Sequence, residues 1–175
     1  MARRVFSAAS ALLGLFLLIF AISYALTVSK AYLGVTVLAE GDPEFRQTTD
    51  VSCGPAALRY ILAHEFGVSV SEEEIARLAG TGETGTTLAG LRQAAEALGF
   101  AATSWRWPKQ NLGELPLPAV AYMHRTQHYV VLTEVRPDFV EVFDPAQGAY
   151  VQFTWHSFAY FWSGVVMVLD RPQGS

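Results

Sequence analysis

HYVVLTEVRPDFVEVFD, residues 128–144, decides how the chain folds. His128-Tyr129-Val130-Val131-Leu132 and Phe139-Val140-Glu141-Val142-Phe143 are rich in β-branched and aromatic residues, and Arg136-Pro137-Asp138 between them is a turn signal. A hairpin centred on Arg136 sets His128 straight across from Asp144, where Cβ atoms are ~4.5–5.5 Å apart. A carboxylate there can accept the imidazole N–H and fix its tautomer.

The same period of two suits Ala101–Trp107, Ala119–Met123, Tyr150–Phe153 and Val165–Leu169. Upstream the period is helical. Leu58, Ile61, Leu62 and Phe66 form one stripe of a helix over Cys53–Phe66, which Ser52 can cap and Gly67 ends. Ser71-Glu72-Glu73-Glu74 is a capping-box start for a short helix through Leu78. Thr87 opens a third helix whose Leu88, Leu91, Ala95 and Leu98 share a face. Helices followed by a run of strands predict an α+β fold with an antiparallel sheet.

The chemistry rests on the single cysteine. One thiol excludes an intramolecular disulfide framework and a cysteine-rich zinc site. Cys53 stands in the first turn of its helix, where free N–H groups and the helix dipole favour a thiolate; a lone cysteine is otherwise a small buried hydrophobe. A thiolate nucleophile needs a base and a group to orient it. His64, His124 and His156 read as surface or packing residues, whereas His128 has Asp144 opposite. Asp144-Pro145-Ala146-Gln147-Gly148 is at the same time a good turn sequence. The Cys53 N–H, and the side-chain amide of Gln47 six residues upstream, are candidate donors to an oxyanion. Trp105, Trp107 and Tyr129 are either cleft walls or core.

Taken in order, Gln47, Ser52-Cys53-Gly54-Pro55-Ala56-Ala57-Leu58, His128-Tyr129-Val130-Val131-Leu132 and Asp144-Pro145-Ala146-Gln147-Gly148 resemble the C39 family of cysteine peptidases, the bacteriocin-processing, double-glycine group. Val70–Gly80, Gly85–Leu91 and the closing Phe158-x-x-Phe161-Trp162-Ser163-Gly164-Val165 are similar to the family as well, so the resemblance covers residues 46–170. It implies a papain-like fold with Cys53 as nucleophile, His128 as general base, Asp144 as orienting residue and Gln47 as oxyanion-hole donor. It also implies a peptide or protein substrate, cut after Gly-Gly or small residues, and no metal or organic cofactor. The family's acidic residue before the cysteine is Ser52 here.

Toward the N-terminus, residues 5–29 carry no charge, a run of 25 positions after Arg3 and Arg4. As a helix this stretch spans ~37 Å, more than a ~30 Å hydrocarbon core. Its length favours an uncleaved anchor over a signal sequence cleaved near Ser23-Tyr24-Ala25. The expected organisation is an anchor or signal sequence over 1–30, a linker over 31–45, the peptidase domain over 46–170 and a tail over 171–175. Arg3 and Arg4 put the N-terminus in the cytoplasm, so the domain is expected on the periplasmic side of a bacterial inner membrane. Residues 31–175 hold 9 basic and 16 acidic side chains, a net charge of −7, against a nucleic-acid surface. Gly80-Thr81-Gly82-Glu83-Thr84-Gly85 lacks the lysine of a phosphate loop, so neither a nucleotide nor a transporter motor is expected. Two other classes fit these residues: a non-cutting peptide-binding accessory of a secretion or envelope complex, and a thiol-dependent amidase or transpeptidase.

Overall fold

The computed structural model describes residues 2–170; the tail expected at 171–175 lies outside them. Helix α1 (Ala2–Leu33) holds a stretch, Ala9–Leu33, long and apolar enough to cross a membrane. Leu12, Leu13, Phe16, Leu17 and Phe20 are all exposed along it.

The chain then runs β1 (Val35–Gly41), a 3₁₀ turn (Pro43–Phe45), α2 (Cys53–Phe66), α3 (Glu72–Leu78), α4 (Leu88–Ala97), β2 (Ala101–Arg106), β3 (Ala119–Met123), β4 (His128–Val135), β5 (Val140–Asp144), β6 (Ala149–Phe153), α5 (Trp155–Phe161) and β7 (Trp162–Asp170). This is the expected α+β order. Among the described residues seven strands form one sheet in the order β1-β6-β5-β4-β3-β7-β2, with every neighbouring pair antiparallel.

Both faces of the sheet are covered, which explains why the central strands are apolar on both sides. One core joins α2, α3 and α4 to Val120, Tyr129, Val131, Phe143 and Met167. The other lies beneath α5, with Phe158, Phe161 and Trp162 against Val130, Leu132, Val142 and Val166. The starts of α3 and α4 and the end of α2 follow their sequence signals. Ser71 and Thr87 accept hydrogen bonds from the N–H of Glu74 and Gly90, and Gly67 closes α2 with φ 67°.

The segment 31–45 departs from expectation. It is not a linker: Val35–Gly41 is an edge strand, with Val35, Thr36 and Val37 paired to Phe153, Gln152 and Val151. Only Val35 and Leu38 of this strand are even half-buried. Backbone hydrogen bonds to β6 hold it, and those leave no alternation for a side-chain pattern to reveal.

Gly90 marks a tight contact of helix on backbone. A Cβ there would stand 2.2 Å from the Ala79 carbonyl oxygen at the end of α3. Backbone cannot yield as a side chain can, so Gly90→Ala is expected to cost about 1–3 kcal/mol. Thermal unfolding followed by circular dichroism should show a Tm lower by roughly 3–10 °C.

Candidate active site

Helix α2 begins at Cys53 and lies against β4, which begins at His128. A left-handed backbone at Gln127 (φ 51°) turns the chain into β4 and leaves His128 at the mouth of the strand. Gly54 lets the two elements close up: a Cβ there would press on Leu91 at 3.1 Å and Tyr129 at 3.3 Å.

His128 and Asp144 are joined, though not through the register expected. The ladder pairs Val131 with Phe143 and Leu132 with Val142, then shifts, so that Glu134 faces Glu141. Arg136 N–H donates to the Phe139 carbonyl, which centres the turn between Pro137 and Asp138 rather than on Arg136. Thr133 is an extra residue in β4, a bulge. Extending the ladder sets Asp144 across from Val130, diagonal to His128, within reach of a ring and a carboxylate. His128 Nε2 lies 2.7 Å from Asp144 Oδ1. Oδ1 also accepts from the Ala146 N–H at 2.9 Å, and Oδ2 accepts from Gln147 Nε2 at 2.9 Å. Gln147 was not singled out from the sequence; its signal is the turn that Asp144 opens, which returns a donor to its own carboxylate.

These contacts set the charges. Burial opposes ionisation of Asp144, but the hydrogen bond and charge of His128, with Gln147 and the Ala146 N–H, hold its carboxyl below the usual range. Burial likewise opposes the imidazolium, yet Asp144 and Cys53 raise His128 to about 9. For Cys53, burial raises the pKa, and it is outweighed by hydrogen bonding to His128 and to the backbone of Tyr129 and Gly54, together with the His128 charge. The thiol therefore ionises below its ordinary value, and a thiolate–imidazolium pair occupies the interval up to about pH 9. Alkylation of Cys53 by iodoacetamide, followed across pH, should show its inflection below the free-thiol value. In His128→Ala that inflection should move upward past it.

Ser52 stands at the N-cap of α2 but does not cap it. Its hydroxyl turns back to Thr49, accepting from the N–H and donating to the carbonyl, both at 3.0 Å. The first N–H groups of α2 are left without a side-chain cap.

Gln47 sits in the loop before α2, its N–H bound to the Pro145 carbonyl at 2.8 Å beside the Asp144 turn. Its Nε2 donates one hydrogen to Thr49 O at 2.7 Å, which leaves the second N–H available. Glu72, buried in the first turn of α3, steadies this loop by accepting from the N–H and hydroxyl of Thr48.

Cys53 opens onto a cleft of about 440 Å³. Tyr122, Gln127 and Tyr129 line it, together with residues 83–86 at the end of the glycine-rich loop. Tyr129 is thus both a member of the first core and a wall of the cleft. Trp105 and Trp107 pack against the second core on and beside β2, at the far edge of the sheet. His64 pairs with Asp42 at 3.1 Å and packs tilted against the rings of Phe45 and Tyr60, a packing role. Among the described residues no group of acidic, histidine or cysteine side chains is placed to hold a metal.

The model of the peptidase C39 family matches residues 43–174. An uncharacterised protein of Methanothermobacter marburgensis is 36% identical over 144 residues, covering 82% of this chain and 95% of the relative. The lactococcin-G-processing and transport ATP-binding protein LagD of Lactococcus lactis is 32% identical over 132 residues, which cover 73% of this chain and 18% of LagD. Among solved structures, the peptidase domain of Streptococcus ComA, a bifunctional ABC transporter of a quorum-sensing pathway, aligns with a TM-score of 0.66 at 26% identity, over 72% of this chain and 96% of that domain.

Proposed function

The chain belongs to the peptidase C39 family, and from that premise we propose that it is a membrane-anchored cysteine endopeptidase that cuts peptides after Gly-Gly or other small residues on the periplasmic side. The observation that carries this reading is the charge-coupled set Cys53, His128 and Asp144, whose cysteine opens onto the cleft.

In this reading the Cys53 thiolate attacks the substrate carbonyl carbon and the C=O electron pair moves onto oxygen. The oxyanion takes hydrogen bonds from the Cys53 N–H, left uncapped by Ser52, and from the second Nε2 hydrogen of Gln47. His128 gives its proton to the leaving amine, the C–N bond breaks and a thioester remains. Water then loses a proton to His128 as it adds to the thioester, and collapse returns the thiolate and a carboxylic acid. Asp144 touches no reacting atom: it holds His128 by Nε2, so the other ring nitrogen serves the thiol. Arg3 and Arg4 ahead of the Ala9–Leu33 span support the orientation.

The direct test offers the full chain, in detergent, paired peptides with Gly-Gly or Val-Val before the same bond, with products read by mass. Cleavage of the first peptide alone is expected. Folded protein that retains the peptide uncut would make the domain a binding module; release of ammonia or an exchanged amide would make it an amidase or transpeptidase.

A further inference from the structure

The catalytic domain is clamped to α1 rather than tethered by a free linker. Ala31 is fully buried, Tyr32 meets the Phe161 ring edge-on at 5.1 Å, and Gly34 lies so close to α5 that a Cβ would stand 2.1 Å from Ser157 Oγ. The Gly34 carbonyl accepts from the Thr154 N–H at 2.8 Å. Going back along α1 from Gly34 to Tyr32 follows α5 forward from Thr154 to Phe161. The apolar helix therefore leaves past the C-terminal end of α5. A span needs about 20 of the 25 residues in Ala9–Leu33, so its last turn can stand clear of the hydrocarbon against α5.

At that end of α5 three cations meet backbone carbonyls, two in the last turn of the helix and one at the start of β7. Lys109 donates to Ala159 O, Arg125 to Tyr160 O at 3.0 Å and Arg106 to Ser163 O. All three residues are exposed. Arg59, Arg77, Arg92 and Arg136 each pair with a glutamate, whereas among the described residues none of these three has a carboxylate partner. They crowd one another: burial first, then the charges of Arg125 and Arg106, hold Lys109 below the usual ammonium range. Arg106, Trp107, Pro108 and Lys109 wall a groove floored by Ser163 and Gly164. Arg125 also lies over the Tyr160 ring at 3.9 Å, and Tyr160 meets Phe161, the ring that touches Tyr32. Against the net charge of −7 on residues 31–175, this is a cationic, aromatic-edged patch beside the membrane helix.

We propose that the Arg106–Lys109–Arg125 patch binds the headgroups of anionic phospholipids in the membrane that α1 spans, and so fixes the catalytic domain against the bilayer. An anion in the groove relieves the mutual repulsion of the three cations, and rings at headgroup level suit Tyr32, Trp107 and Tyr160. The proposal rests on the membrane-anchor reading. It confines cleavage to substrates that present their scissile bond close to the bilayer surface.

The test uses the full chain in nanodiscs of phosphatidylcholine alone or with one third phosphatidylglycerol, with amide exchange read over 106–110 and 159–164. With phosphatidylglycerol, exchange there should slow by about tenfold or more. The protection should vanish in the Arg106→Gln/Lys109→Gln/Arg125→Gln variant, while exchange in α2 stays unchanged as the check on folding. If the triple variant fails to fold, Lys109→Gln alone should lose part of the protection, as should 0.5 M salt on the wild type. Equal exchange in both nanodiscs would overturn the proposal, as would equal protection by soluble glycerophosphate over phosphatidylcholine. Alkaline carbonate extraction separates the premise: a chain washed off the bilayer defeats the anchor, whereas a retained chain without lipid-dependent protection defeats only the headgroup site.

Discussion

Cys53→Ala is expected to abolish peptide cleavage, with turnover falling by about 10⁴-fold or more, while the protein keeps its fold. In the proposed mechanism the thiolate is the group that forms the covalent bond, and no second cysteine can replace it. The loss is large because the site acts as a unit: without the sulfur, His128 has nothing to activate and the oxyanion donors have no tetrahedral intermediate to hold. Folding should survive because Cys53 is a small residue at the start of α2, and alanine removes one sulfur atom from the margin of the first core. An unfolding scan should therefore shift by only a few degrees. A peptide with an electrophilic terminus should label the wild type once, at Cys53, and leave Cys53→Ala unlabelled. An unlabelled wild type with a normal unfolding transition would remove the nucleophile from the proposed mechanism. Gln47→Ala serves as the graded control. Loss of one oxyanion donor should slow acylation by about 10²–10³-fold without preventing it.

Asp144→Asn should lower turnover by about 10²–10⁴-fold with KM little changed, because in the proposed mechanism Asp144 acts through His128 and does not meet the substrate. The native carboxylate accepts three hydrogen bonds, from His128, Ala146 and Gln147. An amide can keep its oxygen on His128 and Ala146 only by turning its NH₂ toward Gln147, whose own amide must then flip to accept. Whichever way the new amide turns, the ring loses the negative charge that raises its pKa. The signs follow. His128 falls from about 9, the imidazolium is lost at neutral pH, and Cys53 loses the positive charge that lowers its own pKa. The inflection of alkylation against pH should therefore move upward, a change that a purely structural defect would not produce. Asp144→Glu keeps the charge and should restore part of that inflection. A variant with reduced turnover but an unmoved alkylation profile would reject this role for Asp144.

Much of this architecture is legible along the chain. The spacing of Leu58, Ile61, Leu62 and Phe66 bounds α2 at both ends, and Ser71 and Thr87 mark helix starts that the hydrogen bonds bear out. Such signals are local: a cap, a stripe and a stop lie within a few residues of one another. The same locality misleads at Ser52, a good capping residue whose hydroxyl turns instead to Thr49. It misleads again at Val35–Gly41, whose pairing with β6 bridges more than a hundred residues and leaves no trace in its own alternation.

The order of Gln47, Cys53, His128 and Asp144, their residue types and the change of period from helix to strand are properties of the sequence by itself. They suffice for the α+β class and for the C39 resemblance. The meeting of His128 with Asp144 is a different matter. Facing residues on paired strands share a face, and a slip of one residue sends a side chain to the other side. With the turn centred between Pro137 and Asp138, an unbroken ladder would carry Asp144 away from the face of His128. The extra residue at Thr133 reverses that relation and makes the 2.7 Å contact possible. A bulge arises from how two strands and the layers above and below them pack together, so tertiary structure alone decided it. The clamp of α1 on α5 was decided in the same way, because Ala31 and Gly34 show their purpose only where another helix comes close enough to exclude a larger side chain.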